Sequence, residues 1–153
     1  MIYISRRVEF CASHRLCNPT FSEEQNLATY GRCTNPSGHG HNYILEVILR
    51  GTVSPETGML MDLKVLKTLI EREILDRVDH KNLNIDVDFM AGVIPTAENM
   101  VVSFWNLLKD HLPSNCQLHE MRLWETENNM AFYRGENAEV VRYNMPVSAS
   151  ASA

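Results

Sequence analysis

The chain has 153 residues, 44% of them hydrophobic, enough for one globular domain with a sizeable core and no need of a second. Its formal charge of −5, with no basic run, excludes a nucleic-acid partner, whose phosphates demand clustered Lys and Arg, and gives no sign of a membrane-surface partner. Apolar runs fall short of the roughly 20 residues of a spanning helix, and the N-terminal Met1 to Arg6 lacks the order of a signal peptide, so a cytoplasmic protein is expected.

From Ile2 to Leu16 the even positions (Ile2, Ile4, Arg6, Val8, Phe10, Ala12, His14, Leu16) are mostly apolar, the period-two pattern of a half-buried strand with His14 facing inward. A long connection, Cys17 to Gly38, follows. Ser22-Glu23-Glu24-Gln25 has the form of a capping box, and Gly31 can end the short helix it starts, with Cys33 just beyond. The second strand sets His39, His41, Tyr43, Leu45, Val47 and Leu49 on one apolar face.

Asp62 can cap a helix carrying Leu63, Leu66, Ile70 and Ile74 and running to about Val78, with Asp79-His80 in the loop after it. A second helix starts at Thr96, behind Pro95 and with Glu98 in its first turn, and presents Val101, Phe104, Leu107, Leu108 and His111 along one side. A third strand, Gln117 to Thr126, places Met121, Leu123 and Glu125 on one face; Asn128-Asn129 turns the chain into a fourth, Met130 to Tyr133. The Ser/Ala stretch after Pro146 has no apolar periodicity, so 147–153 reads as a disordered tail or an appended sequence, and 1–146 as a single domain. This order describes an α+β domain, a four-stranded antiparallel sheet with two helices on one face. Nothing obvious covers its sheet edges, and edge pairing into a closed oligomeric ring is one solution.

His39-Gly40-His41 is the strongest chemical signal, because side chains at i and i+2 of a strand point the same way. With His14 from the neighbouring strand, the pair makes an open three-nitrogen metal site of the kind catalytic zinc uses, and no fourth protein ligand is apparent. One histidine on an apolar face is ordinarily a core residue; three that converge favour a metal.

The four cysteines lack CxxC spacing and are expected to be free thiols, with Cys11, Cys17 and Cys116 small packing residues. Cys33 is either the same or a nucleophile or base beside the metal, and its place near the histidine pair favours the second. Asp79-His80 is equally a solvated helix end, where histidine complements the dipole, or a functional pair. Glu125 lies on an apolar face, where a carboxylate needs a partner; the two adjacent N–H donors of a guanidine-like heterocycle edge would match it.

Phe10-Cys11-Ala12-Ser13-His14-Arg15-Leu16, Cys33 through Tyr43, Asp79-His80, Thr96-Ala97-Glu98-Asn99 and Trp124-Glu125-Thr126-Glu127-Asn128-Asn129 together resemble the motif series of the 6-pyruvoyl-tetrahydropterin synthase family. The resemblance implies a tetrahydropterin-synthase fold in which trimers close a barrel and two trimers stack into a homohexamer, with sites at subunit interfaces. It implies Zn2+ on His14, His39 and His41, a catalytic group of Cys33, Asp79 and His80, and a pterin ring anchored by Glu125 with Thr96 and Glu98 nearby. The implied reaction turns 7,8-dihydroneopterin triphosphate into 6-pyruvoyl-tetrahydropterin and triphosphate, with Arg15 or Lys81 offered as cations for the phosphates.

The 6-carboxy-tetrahydropterin synthases of queuosine biosynthesis share this apparatus and are the alternative; the longer interval between Cys33 and His39 favours the pyruvoyl enzyme. Ala97 departs from the second threonine frequent beside Thr96 in the family. An alternative of another class, a non-catalytic zinc- and pterin-binding protein, would have no use for Cys33.

Overall fold

Alternation builds the centre of the molecule. In the computed structural model, which describes residues 1–136 and 139–143, strand β1 (Ile2–His14) pairs antiparallel with β2 (His39–Gly51) along its whole length, from Ile2 opposite Gly51 to His14 opposite His39. Val8, Phe10, Ala12 and His14 of β1 and Tyr43, Leu45, Val47 and Leu49 of β2 are buried on the shared inner face, as the period of two requires. The stretch 147–153, expected to be a tail, lies outside the described residues.

Helix α1 (Glu23–Tyr30) begins at the Ser22 capping box and ends at Gly31, whose φ of 56° is the left-handed conformation that favours glycine. Asp62 caps α2 (Leu63–Ile70) by accepting the Lys64 N–H. The rod continues through a π-helical segment, Glu71–Leu75, into the single turn α3 (Asp76–Val78), and it buries Leu66, Leu69, Ile70, Ile74 and Val78. Helix α4 (Ala97–Leu108) starts at the N-cap Thr96 and sets Phe104 edge-on against Phe10, at 5.9 Å between ring centroids. Phe10 in turn stacks on Tyr43 at 4.9 Å, so α4 and the two central strands share one aromatic cluster.

Strand β4 (Cys116–Trp124) pairs with β2, and β5 (Met130–Tyr133) with β4, both antiparallel. The expected four-stranded antiparallel sheet with two helices needs correction. A fifth strand, β3 (Lys81–Asn82), pairs parallel to β1 in the order β3-β1-β2-β4-β5, so the sheet is mixed, and three helical rods accompany it. Its physical reason is the free edge of β1, where the His80 N–H donates to the Cys11 carbonyl and the Leu83 N–H to the Ser13 carbonyl. Two residues are too few to show a period, so the sequence reads as loop there.

The register between β2 and β4 shifts after Ile48, which pairs with Glu120 while Leu49 pairs with Leu118. The extra residue, His119, makes a bulge there. Beyond it Met121 stands opposite the inward-facing Val47, while Glu120, opposite Ile48, is buried against Arg122 and Arg134.

Candidate metal centre and active site

The β1–β2 register decides the site. Because His14 stands opposite His39 and Ala12 opposite His41, all three imidazoles gather at one end of the ladder. His14 Nε2 lies 3.2 Å from His39 Nε2, and one ring nitrogen from each of the three lies within 4.8 Å of the others. Gly38, just before His39, holds φ 69°, and a Cβ there would sit 2.9 Å from the His14 carbonyl oxygen. Glycine is what lets the second strand enter so close to the first.

His14 is fully buried and its Nδ1 lies 2.8 Å from the Pro95 carbonyl. A carbonyl only accepts, so Nδ1 carries the proton and Nε2 presents a lone pair. The Tyr43 hydroxyl, also buried, lies 3.3 Å from the same Nδ1. Burial lowers the pKa of His14, against the Pro95 bond and Glu125, and burial likewise lowers that of His41. Both rings are therefore held neutral, the form that ligates metals. His41 Nε2 is buried with no hydrogen-bond partner. A proton-free nitrogen facing a second ring nitrogen, beside a buried orphan, is a donor set that a cation satisfies, and three imidazoles suit zinc.

Glu125 follows the end of β4 in a turn where its N–H donates to the Asn129 carbonyl. Its carboxylate oxygens lie 3.7 Å from His41 Nε2 and 3.9 Å from His14 Nε2. Glu125 thus stands one residue beyond β4, with the turn that ends the strand setting its carboxylate beside the histidine nitrogens.

Cys33 is half-buried in a 3-10 turn, Gly31–Thr34, and its carbonyl accepts the Leu16 N–H at 2.8 Å, two residues beyond His14. It stands outside the three-histidine group. Thr96 Oγ1 accepts the Asn99 N–H as the cap of α4, and Glu98 is exposed in the first turn.

Asp79 and His80 sit on the outer edge of β1. Asp79 Oδ1 accepts the Cys11 N–H at 2.9 Å and lies 3.0 Å from His80 Nδ1. The Cys11 N–H, foremost, and then His80 hold the Asp79 carboxyl below the usual carboxylate range. His80 has a left-handed backbone, φ 58°, and its side chain is 81% exposed. Cys11 precedes His14 by three residues, about 10 Å along an extended strand. Within one chain, then, the structure joins His14, His39, His41 and Glu125, and presents Asp79-His80 outward from the sheet edge. Sequence reasoning missed the Tyr43 hydroxyl and the Pro95 carbonyl. Tyr43 shares the histidines' strand face and offered a signal; a main-chain carbonyl offers none.

A family model described as 6-pyruvoyl tetrahydropterin synthase matches residues 3–136. The chain belongs to that family. It is 46% identical over 133 residues to the 6-pyruvoyl tetrahydrobiopterin synthase of Pongo abelii, covering 87% of this chain and 91% of the relative. It is 30% identical over 169 aligned positions to a 6-carboxy-5,6,7,8-tetrahydropterin synthase of Aquifex aeolicus, covering 87% of this chain and 98% of the relative. A solved structure of Caenorhabditis elegans 6-pyruvoyl tetrahydropterin synthase superposes with a TM-score of 0.82 at 39% identity, covering 88% of this chain and 96% of that one. No helix among the described residues is long and apolar enough to cross a membrane.

Proposed function

We propose that this chain is a zinc-dependent carbon–oxygen lyase that converts 7,8-dihydroneopterin triphosphate to 6-pyruvoyl-tetrahydropterin with loss of triphosphate. The observation that carries the proposal is the meeting of three histidine nitrogens with the Glu125 carboxylate at one end of the β1–β2 ladder, in a chain of this family. Higher identity to pyruvoyl-named than to carboxy-named relatives supports the pyruvoyl product.

His14, His39 and His41 would hold the ion, which supplies Lewis-acid polarisation of the side-chain hydroxyls of the substrate. Glu125 accepts the two adjacent N–H donors of the pterin edge, a bidentate match that sets the ring's in-plane direction. Thr96 and Glu98 flank that ring from the start of α4. Cys33 takes a proton from the activated side chain, and His80, oriented by Asp79, returns one. The dihydro ring is reduced as the side chain is oxidised to carbonyls, so no external redox agent is consumed.

The working assembly is a homohexamer, two stacked trimers, in which a neighbouring subunit completes each site. Supporting this are the exposed His80 on the β1 edge and the short outer strands β3 and β5, which leave the sheet's edges available for pairing. The whole of 1–146 acts as one catalytic domain in the cytoplasm.

Triphosphate release from dihydroneopterin triphosphate tests the proposal. Zinc-loaded protein should release it, chelator-stripped protein should not, and added zinc should restore it. Binding of the pterin without release would identify a non-catalytic binding protein instead.

A further inference from the structure

The residue after the metal ligand His14 is held from three directions. Arg15 donates its peptide N–H to Asn84 Oδ1 at 2.7 Å and accepts from Asn84 Nδ2 at its carbonyl at 2.9 Å. Its guanidinium Nε–H donates to the Thr34 carbonyl at 2.7 Å. The next residue, Leu16, donates its N–H to the Cys33 carbonyl at 2.8 Å. Two successive carbonyls of the 3-10 turn are thereby tied to two successive residues behind His14. Carbonyls at the end of so short a helix have no internal partner, and Thr34 is buried, where water is a poor substitute.

Asn84 extends the joint to a third segment. Its N–H donates to Asn82 Oδ1 at 2.9 Å, and Asn82 belongs to β3, two residues beyond His80. The segments bearing His14, Cys33 and His80 therefore meet at Arg15.

We infer that Arg15 is a positioning residue whose guanidinium holds the Cys33 turn against the end of β1, and that binding the triphosphate is not its role. The inference rests on the reading of Cys33 as a proton-transfer group. A fixed, planar Nε–H directed at one carbonyl is geometry that lysine, a flexible point charge, does not reproduce. A phosphate contact would instead need chiefly the positive charge. Loosening the turn moves the thiol relative to the metal ligands, and a shift of about 1 Å costs on the order of 100-fold in rate.

The test compares Arg15→Lys with Arg15→Met. In each, kcat and KM for dihydroneopterin triphosphate, zinc content, and the rate of iodoacetamide labelling at Cys33, resolved by peptide mass spectrometry, are measured. Positioning predicts that both variants keep stoichiometric zinc and a KM within about 3-fold, lose kcat by roughly 100-fold, and change Cys33 labelling several-fold. Recovery of kcat by lysine, a KM raised tenfold or more in Arg15→Met, or unchanged Cys33 labelling overturns it. Should Arg15→Met fail to fold, Arg15→Lys alone decides between charge and geometry. Labelling is read without turnover, so the clamp is judged separately from the Cys33 role, which fails only if Cys33→Ala still turns over.

Discussion

His14 and Pro95, 81 positions apart, are joined by a 2.8 Å hydrogen bond from the imidazole Nδ1 to the main-chain carbonyl. That bond sets which nitrogen of His14 faces the other two histidines. It also anchors the residue immediately before Thr96, the cap of α4. The three-histidine cluster and the helix start proposed to flank the pterin are therefore mechanically one unit. His14→Ala should abolish stoichiometric zinc binding and speed amide hydrogen exchange at residues 96–100. Unchanged exchange there would show that the two are not linked.

Tyr43→Phe removes one hydroxyl from a fully buried site 3.3 Å from His14 Nδ1. Partners of metal-ligating histidines typically influence metal affinity by 10–100-fold, and with Pro95 still in place the lower end applies, about 10-fold. Competition against a zinc indicator measures it, and equal affinity in the two proteins would refute the role.

Cys33 lies outside the histidine group, so Cys33→Ala should keep its zinc. With Cys33 as the proposed proton-transfer group, its loss should lower kcat by about 100- to 10,000-fold. Turnover near the wild-type rate would move the base elsewhere.

Much of this site could be read from the chain because it depends on local periodicity. The i, i+2 spacing of His39 and His41, the inward phase of His14 and the phase of Glu125 all survive in three dimensions. The caps Ser22 and Asp62 were legible for the same reason, since each acts within three residues, and the helix start at Thr96 was legible from Pro95 and Glu98. Features that depend on distant backbone were not. The pairing of β3 with β1 joins Lys81 to Ala12 through main-chain atoms that carry no sequence code. The His119 bulge in β4, and the burial of Glu120 against Arg122 and Arg134, likewise depend on partners that the fold alone brings together.

Glu120 is 3% exposed and bonds both Arg122 and Arg134, the latter at 2.6 Å. Burial alone would raise its pKa, but Arg134 and Arg122 hold it below the usual range. The two arginines are 38% and 52% exposed, so water screens them once the carboxylate is gone. Glu120→Gln should therefore cost about 2 kcal/mol, below the 3–5 kcal/mol of a fully buried pair. Urea unfolding of the two proteins checks this, and a loss under about 0.5 kcal/mol, the usual range of an ordinary surface substitution, would contradict it.

Acid should weaken the metal-free protein through His14 and His41. Their pKa values lie below the ordinary 6.5, so between the folded values and 6.5 the unfolded chain binds more protons than the folded one. Their contribution to stability is complete above about pH 6.5 and declines as pH falls through that point. In zinc-stripped protein the urea midpoint should drop as the solution is acidified below that pH, and the drop should be shallower in His14→Phe. The same slope in both proteins would exclude His14 as its source.

The decisive measurement is product identification after incubating zinc-loaded protein with 7,8-dihydroneopterin triphosphate. Mass spectrometry should find 6-pyruvoyl-tetrahydropterin, with one triphosphate released per product and no acetaldehyde. Accumulation of 6-carboxy-tetrahydropterin with acetaldehyde, or unconsumed substrate, would contradict the account.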